Sequence, residues 1–443
     1  MAPALAVALL GLLVLAPVVL AAAGGGSSGF GGGGGGGFGG GGGVSGGGGS
    51  PGSSDDGGAG VFLLVLLVLG FAAFLLIGAI GGMRYRRRRR GRVERVRAAA
   101  AEAAEDDAYL AADAVGESAK TLFVSCQQAW DARDRERLAE LVGGDLMVEW
   151  RRRLDDFDRK GWHNRVRVIG GPEVEYVGLV NREDDSEDRV VVRIEATLDD
   201  YVEDRHGRRI KRKGSSDTTT TIEEYWTLAR RRDAWMVVSI EQRAEGDHHL
   251  DDRIVAVPWS DDELLRDETL VERAAADKAL DGFRIAELAD FDLADDARAQ
   301  ALDLSLADGR FAPDVLEATA RRAVAAWAEA VDGDDAALEE VATPEAVRML
   351  LHPEGERTRV VVRGPRVDRL RLVRLEPDAE PPTMTVEVTV RGRRYSEDRD
   401  TAAVISGSQS SETRFSERWT LALNGSDETP WRIVDADTGA ARA

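Results

Sequence analysis

Four short signatures occur twice in this sequence, in the same order and at nearly equal spacing. Gly171-Pro172 with Val174 returns as Gly364-Pro365 with Val367. Tyr201-Val202-Glu203-Asp204-Arg205 returns as Tyr395-Ser396-Glu397-Asp398-Arg399. Trp226-Thr227-Leu228-Ala229 returns as Trp419-Thr420-Leu421-Ala422, and Trp235-Met236-Val237-Val238 as Trp431-Arg432-Ile433-Val434. From Gly to Tyr the gap is 30 and 31 residues, and from Tyr to Trp 25 and 24. One such match arises by chance; four in register mean that one folding unit has been duplicated. The repeat is far longer than a solenoid unit, so the chain holds two domains of one kind.

Each copy opens with helices and continues in strands. In the first, Leu122, Phe123, Cys126, Ala129 and Trp130 lie on one helical face. A second helix is expected over Arg135–Val142, and Leu154 and Phe157 extend helix toward Gly161. β-Branched and alternating residues then dominate: Val174–Val177, Val190–Ala196, Ile222–Leu228 and Trp235–Ile240, the last two joined across Arg230–Asp233. The second copy repeats this with a helix around Val324, Trp327 and Val331. Strands follow at Val360–Val362, Thr385–Val390, Phe415–Leu423 and Trp431–Val434, and Asn424-Gly425 predicts a tight hairpin. Helices first and antiparallel strands after them give an α+β class, with helices covering one face of a curved sheet.

Ahead of the repeat, charge is distributed abruptly. The formal net charge is −21, yet residues 1–83 carry only Asp55 and Asp56. Val61 to Gly82 are 22 uncharged, mostly apolar positions. As a helix they reach about 33 Å, enough for a hydrocarbon core of about 30 Å. Arg84, Arg86, Arg87, Arg88, Arg89, Arg90, Arg92, Arg95 and Arg97 follow at once. Such a collar stays in the cytoplasm; it acts as a stop-transfer signal alone, or Arg84, Arg86, Arg87, Arg88, Arg89, Arg90 and Arg92 also contact anionic lipid head groups. The expected location is a bacterial plasma membrane with the C-terminal region cytoplasmic. The chain is single-pass, or two-pass if the apolar segment 1–23 is kept rather than removed as a signal peptide. That segment lacks the basic start of a signal peptide, and Pro17 interrupts it.

The expected organisation is therefore a signal peptide or first span over 1–23, then a flexible glycine-rich segment over 24–60. A transmembrane helix at 61–83 follows, and a polybasic juxtamembrane region at 84–117, helical over Val93–Val115. The first α+β domain covers 118–246, a helical acidic connector 247–312 (with a Ser260–Glu263 capping pattern), and the divergent second domain 313–436. The glycine-rich segment holds 24 glycines in 37 residues and has nothing to bury.

No catalytic set stands out. The acidic balance disfavours nucleic acid. Cys126, the single cysteine, fits a small buried apolar side chain in a reducing compartment. Adjacent His248 and His249 in extended chain would point to opposite faces and show no third ligand, so His248–Asp252 reads as a solvated acidic turn and no metal or cofactor is expected. No His recurs in both copies, no phosphate loop or nucleophile elbow occurs, and no Asp–His pair is visible. Trp130, Trp162, Tyr176, Tyr201, Tyr225 and Trp226 are candidates to line an apolar pocket, with core packing the competing role.

Leu198-Asp199-Asp200-Tyr201-Val202-Glu203-Asp204, the basic turn Arg205–Arg208, and Glu224-Tyr225-Trp226-Thr227-Leu228 with Trp235 resemble one family. It is that of the C-terminal domain of the 44-kilodalton subunit of the mitochondrial inner-membrane import translocase and its bacterial relatives. The resemblance covers about residues 118–245; the second copy departs from it, with Arg418 in place of Tyr225. It implies cone-shaped domains of nuclear-transport-factor-2-like (cystatin-like) fold and an association with the membrane and with protein partners. The expectation is a non-enzymatic membrane-anchored binding or scaffold protein whose partners are lipids and a protein segment. The alternative is a pocket enzyme, a hydrolase or isomerase on a small apolar substrate, using Asp200 or Glu224 as its acid–base group.

Overall fold

The computed structural model describes residues 23–24, 57–211, 217–257, 292–426 and 429–438; for 57–79 and Asp295 it describes the backbone alone. The apolar start, nearly all of the glycine-rich segment and the Ser260–Glu263 pattern lie outside these residues.

Helix α1 runs over Gly57–Ala103. The apolar stretch and the arginine collar thus share one continuous helix. The juxtamembrane helix expected over Val93–Val115 is in fact the end of α1, which stops at Ala103. Glu105, Asp106 and Asp107 come next, and acidic side chains oppose the negative end of a helix. Among the described residues no helix is long and apolar enough to cross a membrane.

The first domain packs α2 (Ala112–Ala132), α3 (Arg135–Leu141) and α4 (Gly144–Lys160) on one sheet. Val115, Ala119, Leu122, Phe123, Cys126 and Trp130 form the buried stripe of α2. Asp134 caps α3 by accepting from the Arg137 amide at 2.9 Å. The sheet comprises β1 (Trp162–Val180), β2 (Arg189–Asp204), β3 (Arg209–Ile210), β4 (Thr219–Arg231) and β5 (Ala234–Gln242), in the order β1-β2-β4-β5 with β3 on β2. All pairs are antiparallel.

A short helix α5 (Arg243–Gly246) and a 3-10 turn, Asp247–Leu250, leave this sheet. The described connector resumes with β6 (Asp292–Leu293) and α6 (Asp295–Ser305). The second domain then repeats the first: α7 (Pro313–Asp332), α8 (Ala336–Val341) and α9 (Pro344–Leu351), followed by β7 (Thr358–Glu376), β8 (Thr383–Asp398), β9 (Ala403–Gly407), β10 (Thr413–Leu423) and β11 (Trp431–Asp437). Its strand order is β11-β10-β8-β7-β6, with β9 on β8.

The duplication extends to details. Val142 bridges Val237 in the first domain as Ala342 bridges Ile433 in the second. Both Gly-Pro pairs sit at register shifts that bend the first long strand of their sheet. Trp226 and Trp419 are wholly buried, each near a helix aromatic, with Phe123 at 5.2 Å and Trp327 at 5.5 Å between ring centroids. The Asn424-Gly425 hairpin is looser than expected: Leu423 pairs with Trp431, leaving a seven-residue loop rather than a two-residue turn.

Candidate functional site at the helix and domain junction

Strand alternation sends Tyr225 to the opposite side of the sheet from Trp226. Tyr225 joins a small cluster with Val177, Val191 and Leu250, covered by Tyr85 and Val93 of α1. The helix is thus docked on the outer face of the first sheet. Tyr85 donates to Glu223 at 2.9 Å and meets the Tyr225 hydroxyl at 3.0 Å. Arg89 pairs with Glu175 at 3.2 Å. At the centre of this face Arg193 bonds Glu223 and Glu195, both at 2.8 Å, which offsets an otherwise acidic row.

The arginine collar is therefore divided. Arg88 reaches Asp251 at 2.7 Å and the Asp247 carbonyl at 3.0 Å. Arg92 is buried and donates to the carbonyls of Val177 and Asp252. Arg84, Arg86, Arg87 and Arg90 stay exposed on the other side.

The turn held by Arg88 and Arg92 carries His248 and His249, and here the sequence expectation is corrected. The histidines are buried, not solvated, at 8% and 6% exposure. They occupy a 3-10 turn rather than a strand, so consecutive side chains lie together, with ring centroids 4.0 Å apart. His248 Nε2 lies 3.0 Å from Glu241, and His249 Nε2 3.2 Å from it. The Nδ1 atoms face Asp252, at 3.5 Å and 2.8 Å. Asp–His pairs thus exist, outside the domain cores and without a counterpart in the second copy. Burial pushes His248 down, but Glu241 and Asp252 outweigh it and hold it up at about 10. Burial would raise Glu241, yet the two histidines keep it well below the carboxylate range.

The second domain closes this corner. Gly364 has φ +58, and a Cβ there would meet the His248 ring at 2.6 Å. Only glycine gives the turn this room. Beside it Arg363 donates to Ser239 Oγ at 2.9 Å and to the carbonyl and carboxylate of Asp332, and lies 3.9 Å from Glu241. Farther along the interface Arg399 bonds Glu149 at 2.7 and 2.8 Å, both side chains buried.

The pocket candidates divide between places. Trp130, Tyr176 and Trp226 are core residues. Trp130 donates to Asn164, and Asn164 to Asp200 at 2.7 Å. Trp162 is half-buried under Lys160, and Tyr201 under Arg209, 4.1 Å from its ring. Asp200 and Glu224 share the inner face, but Glu224 pairs with Ile194, six residues from Asp200. At about 3.3 Å per residue they stand roughly 20 Å apart and form no pair.

A second place on the first domain holds peptide backbone. Between α2 and α4, the Ala23 amide donates to Gln127 Oε1 at 2.8 Å, and Arg153 donates to the Gly24 carbonyl. A Cβ on Gly24 would run into the buried Trp150 ring. The seat accepts a small-residue segment with glycine over the indole.

Residues 96–242, about a third of the chain, match the family described as the Tim44-like domain. The match runs from the last turns of α1 to the end of β5, and a helix-backed, bent antiparallel sheet is the architecture that the motif resemblance implied. No curated protein matches the chain. Among solved structures, the intermembrane space region of the chloroplast protein ARC6 is 11% identical, covering 29% of this chain and 95% of its own, with a TM-score of 0.23. An Ntf2-like protein involved in plasmid conjugation is 10% identical, covering 74% and 94%, with a TM-score of 0.18. Likenesses this low carry no argument about this chain.

Proposed function

We propose that this chain is a non-enzymatic, membrane-tethered binding and scaffold protein of the bacterial plasma membrane, with its paired domains in the cytoplasm. The observation that carries this reading is the divided collar. Tyr85, Arg88, Arg89 and Arg92 fasten α1 to the first domain, so the domain follows the helix rigidly. Arg84, Arg86, Arg87 and Arg90 remain free to meet anionic head groups. At about 1 kcal/mol per basic residue near the surface they contribute about 4 kcal/mol. The quadruple Arg→Gln variant in nanodiscs should lose roughly a thousand-fold in affinity for anionic phospholipid, read by native mass spectrometry. Arg88→Gln with Arg89→Gln should keep the lipid and instead make α1 sensitive to limited proteolysis. Equal lipid retention by the wild type and the quadruple variant would remove the lipid role.

The binding part of the reading rests on the seat at Trp150, which fits a small-residue stretch of a partner protein. Membrane crossing at 61–82 would place Ala23 and Gly24 on the far side of the bilayer from that seat. Ala23→Cys with Arg153→Cys separates the cases. In sealed membranes no intramolecular crosslink should form, and Arg153→Cys alone should crosslink to a second protein. An intramolecular crosslink would overturn the span.

A further inference from the structure

We propose that Glu241, His248 and His249 form a binding site for a divalent transition-metal ion, best suited to Zn2+, at the meeting point of α1, the first sheet and the second domain. One oxygen or nitrogen from each of the three falls within 4.8 Å of the others. The closest approaches are 3.0 and 3.3 Å from His248 Nε2 to the two Glu241 oxygens, and 3.2 Å from His249 Nε2 to Oε1. Donors around a tetrahedral zinc at about 2.0–2.1 Å are roughly 3.3 Å apart, and both histidine–glutamate spacings match that.

The far side of each ring argues the same way. Both Nδ1 atoms face Asp252. Hydrogen bonds from Nδ1–H to Asp252 fix the tautomer in which each Nε2 lone pair faces Glu241. A carboxylate behind a histidine is the usual arrangement around bound zinc. Two imidazoles and one carboxylate suit zinc and its neighbours rather than Mg2+ or Ca2+, which take oxygen donors. The charges also balance, since Glu241 and Asp252 together match a dication. Arg363, the nearest fixed cation at 3.9 Å from Glu241, is already engaged by Asp332 and Ser239.

The test uses the full chain purified in detergent, stripped with a chelator and titrated with Zn2+ or Co2+. The wild type should retain one Zn2+ per chain through desalting, and its Co2+ form should show the intense visible absorption of a tetrahedral nitrogen–oxygen site. Glu241→Gln and His249→Gln should abolish that spectrum. Asp252→Asn, a positioning change, should keep the spectrum but weaken affinity about 10–100-fold. His163→Gln and His206→Gln should behave as the wild type. A wild type that retains no stoichiometric Zn2+ and gives no cobalt spectrum would leave an imidazolium–carboxylate network only and overturn the site. That measurement needs no variant to fold.

Discussion

Arg363→Met is expected to cost about 3–5 kcal/mol, the cost of stranding charge when one partner of a buried pair is removed, shared between the second domain, which loses the Arg363–Asp332 pair, and its seating on the first, which loses the bonds to Ser239 and Ile240. Arg363 is 9% exposed and binds Ser239 Oγ, the Ile240 carbonyl and both the carbonyl and carboxylate of Asp332. Glu241 lies 3.9 Å away, and Glu245 also faces the guanidinium. Methionine restores the volume but none of the five donors, so Asp332 loses its guanidinium partner while Glu241 keeps the two histidines. Asp332, already pushed up to about 6 by burial and then by Glu241, would rise further. Hydrogen exchange should show β5 and β7 losing protection together while the inner core around Trp226 keeps its own. Asp332→Asn on top of Arg363→Met should restore part of the loss, because it removes the stranded charge. By contrast, Arg366→Met, half-exposed and 3.9 Å from Asp251, should change stability by less than about 1 kcal/mol. Unchanged protection of β5 and β7 in Arg363→Met would mean that the domains are held by something other than this guanidinium.

The duplicated domains are alike inside and unlike outside. Trp226 and Trp419 each donate to a glutamate two residues before them, at 2.9 and 3.1 Å, so the inner faces match. The outer faces do not. The first presents Tyr225 and acidic residues to α1, whereas the second has Arg418 where Tyr225 stands. Only the first copy can receive the helix this way. Across the interface arginines run both ways: Arg363 and Arg399 of the second reach Ser239 and Glu149, and Arg153 and Arg189 of the first reach Glu397 and Glu329. Duplication supplied two cores, and divergence of surface residues made one of them a dock for the helix.

This division explains what could be read from sequence. Periodicity reports which residues face a core, so the repeat, the helix-then-strand order and the burial of Trp130 and Trp226 were legible. The arginine collar was legible as charge but not as two faces. Tyr85, Arg89, Arg92, Val93, Val96 and Ala100 do follow helical spacing, and that was the signal for a docked side. His248 and His249 were misplaced because alternation was applied to residues that form a 3-10 turn. Glu241 lies seven residues earlier, at the end of a strand, and the bulge between Thr227 and Leu228 brings it opposite Tyr225, which alternation along the strand does not show. Arg363 and Gly364 come from more than a hundred residues away, and no local pattern joins them to that turn.

The inner glutamates give the last prediction. Glu224 is 2% exposed, and burial pushes its carboxyl up to about 7, with Glu245 adding to the rise against the Trp226 hydrogen bond. Glu417 is pushed to about 7 by burial too, although Arg394 stands 3.3 Å away, so Glu224 is the cleaner probe. The unfolded carboxyl titrates near 4.5. Between about pH 4.5 and 7 the folded state therefore binds a proton that the unfolded state has released. Stability from this group is complete below about pH 4.5, falls as pH rises through 7, and levels off above it. A rise from 4.5 to about 7 corresponds to roughly 3 kcal/mol. Glu224→Gln keeps an acceptor for Trp226 and cannot ionise. Its stability relative to the wild type should accordingly increase by about 2.5 kcal/mol between pH 5 and pH 8, measured by urea unfolding with tryptophan fluorescence. The protonated-carboxyl infrared band of the wild type should lose its component titrating near pH 7 in the variant. Parallel stability profiles for the two proteins would show that Glu224 is ionised in the folded state, and the inner face would then have to hold a charge that its apolar neighbours leave unmatched.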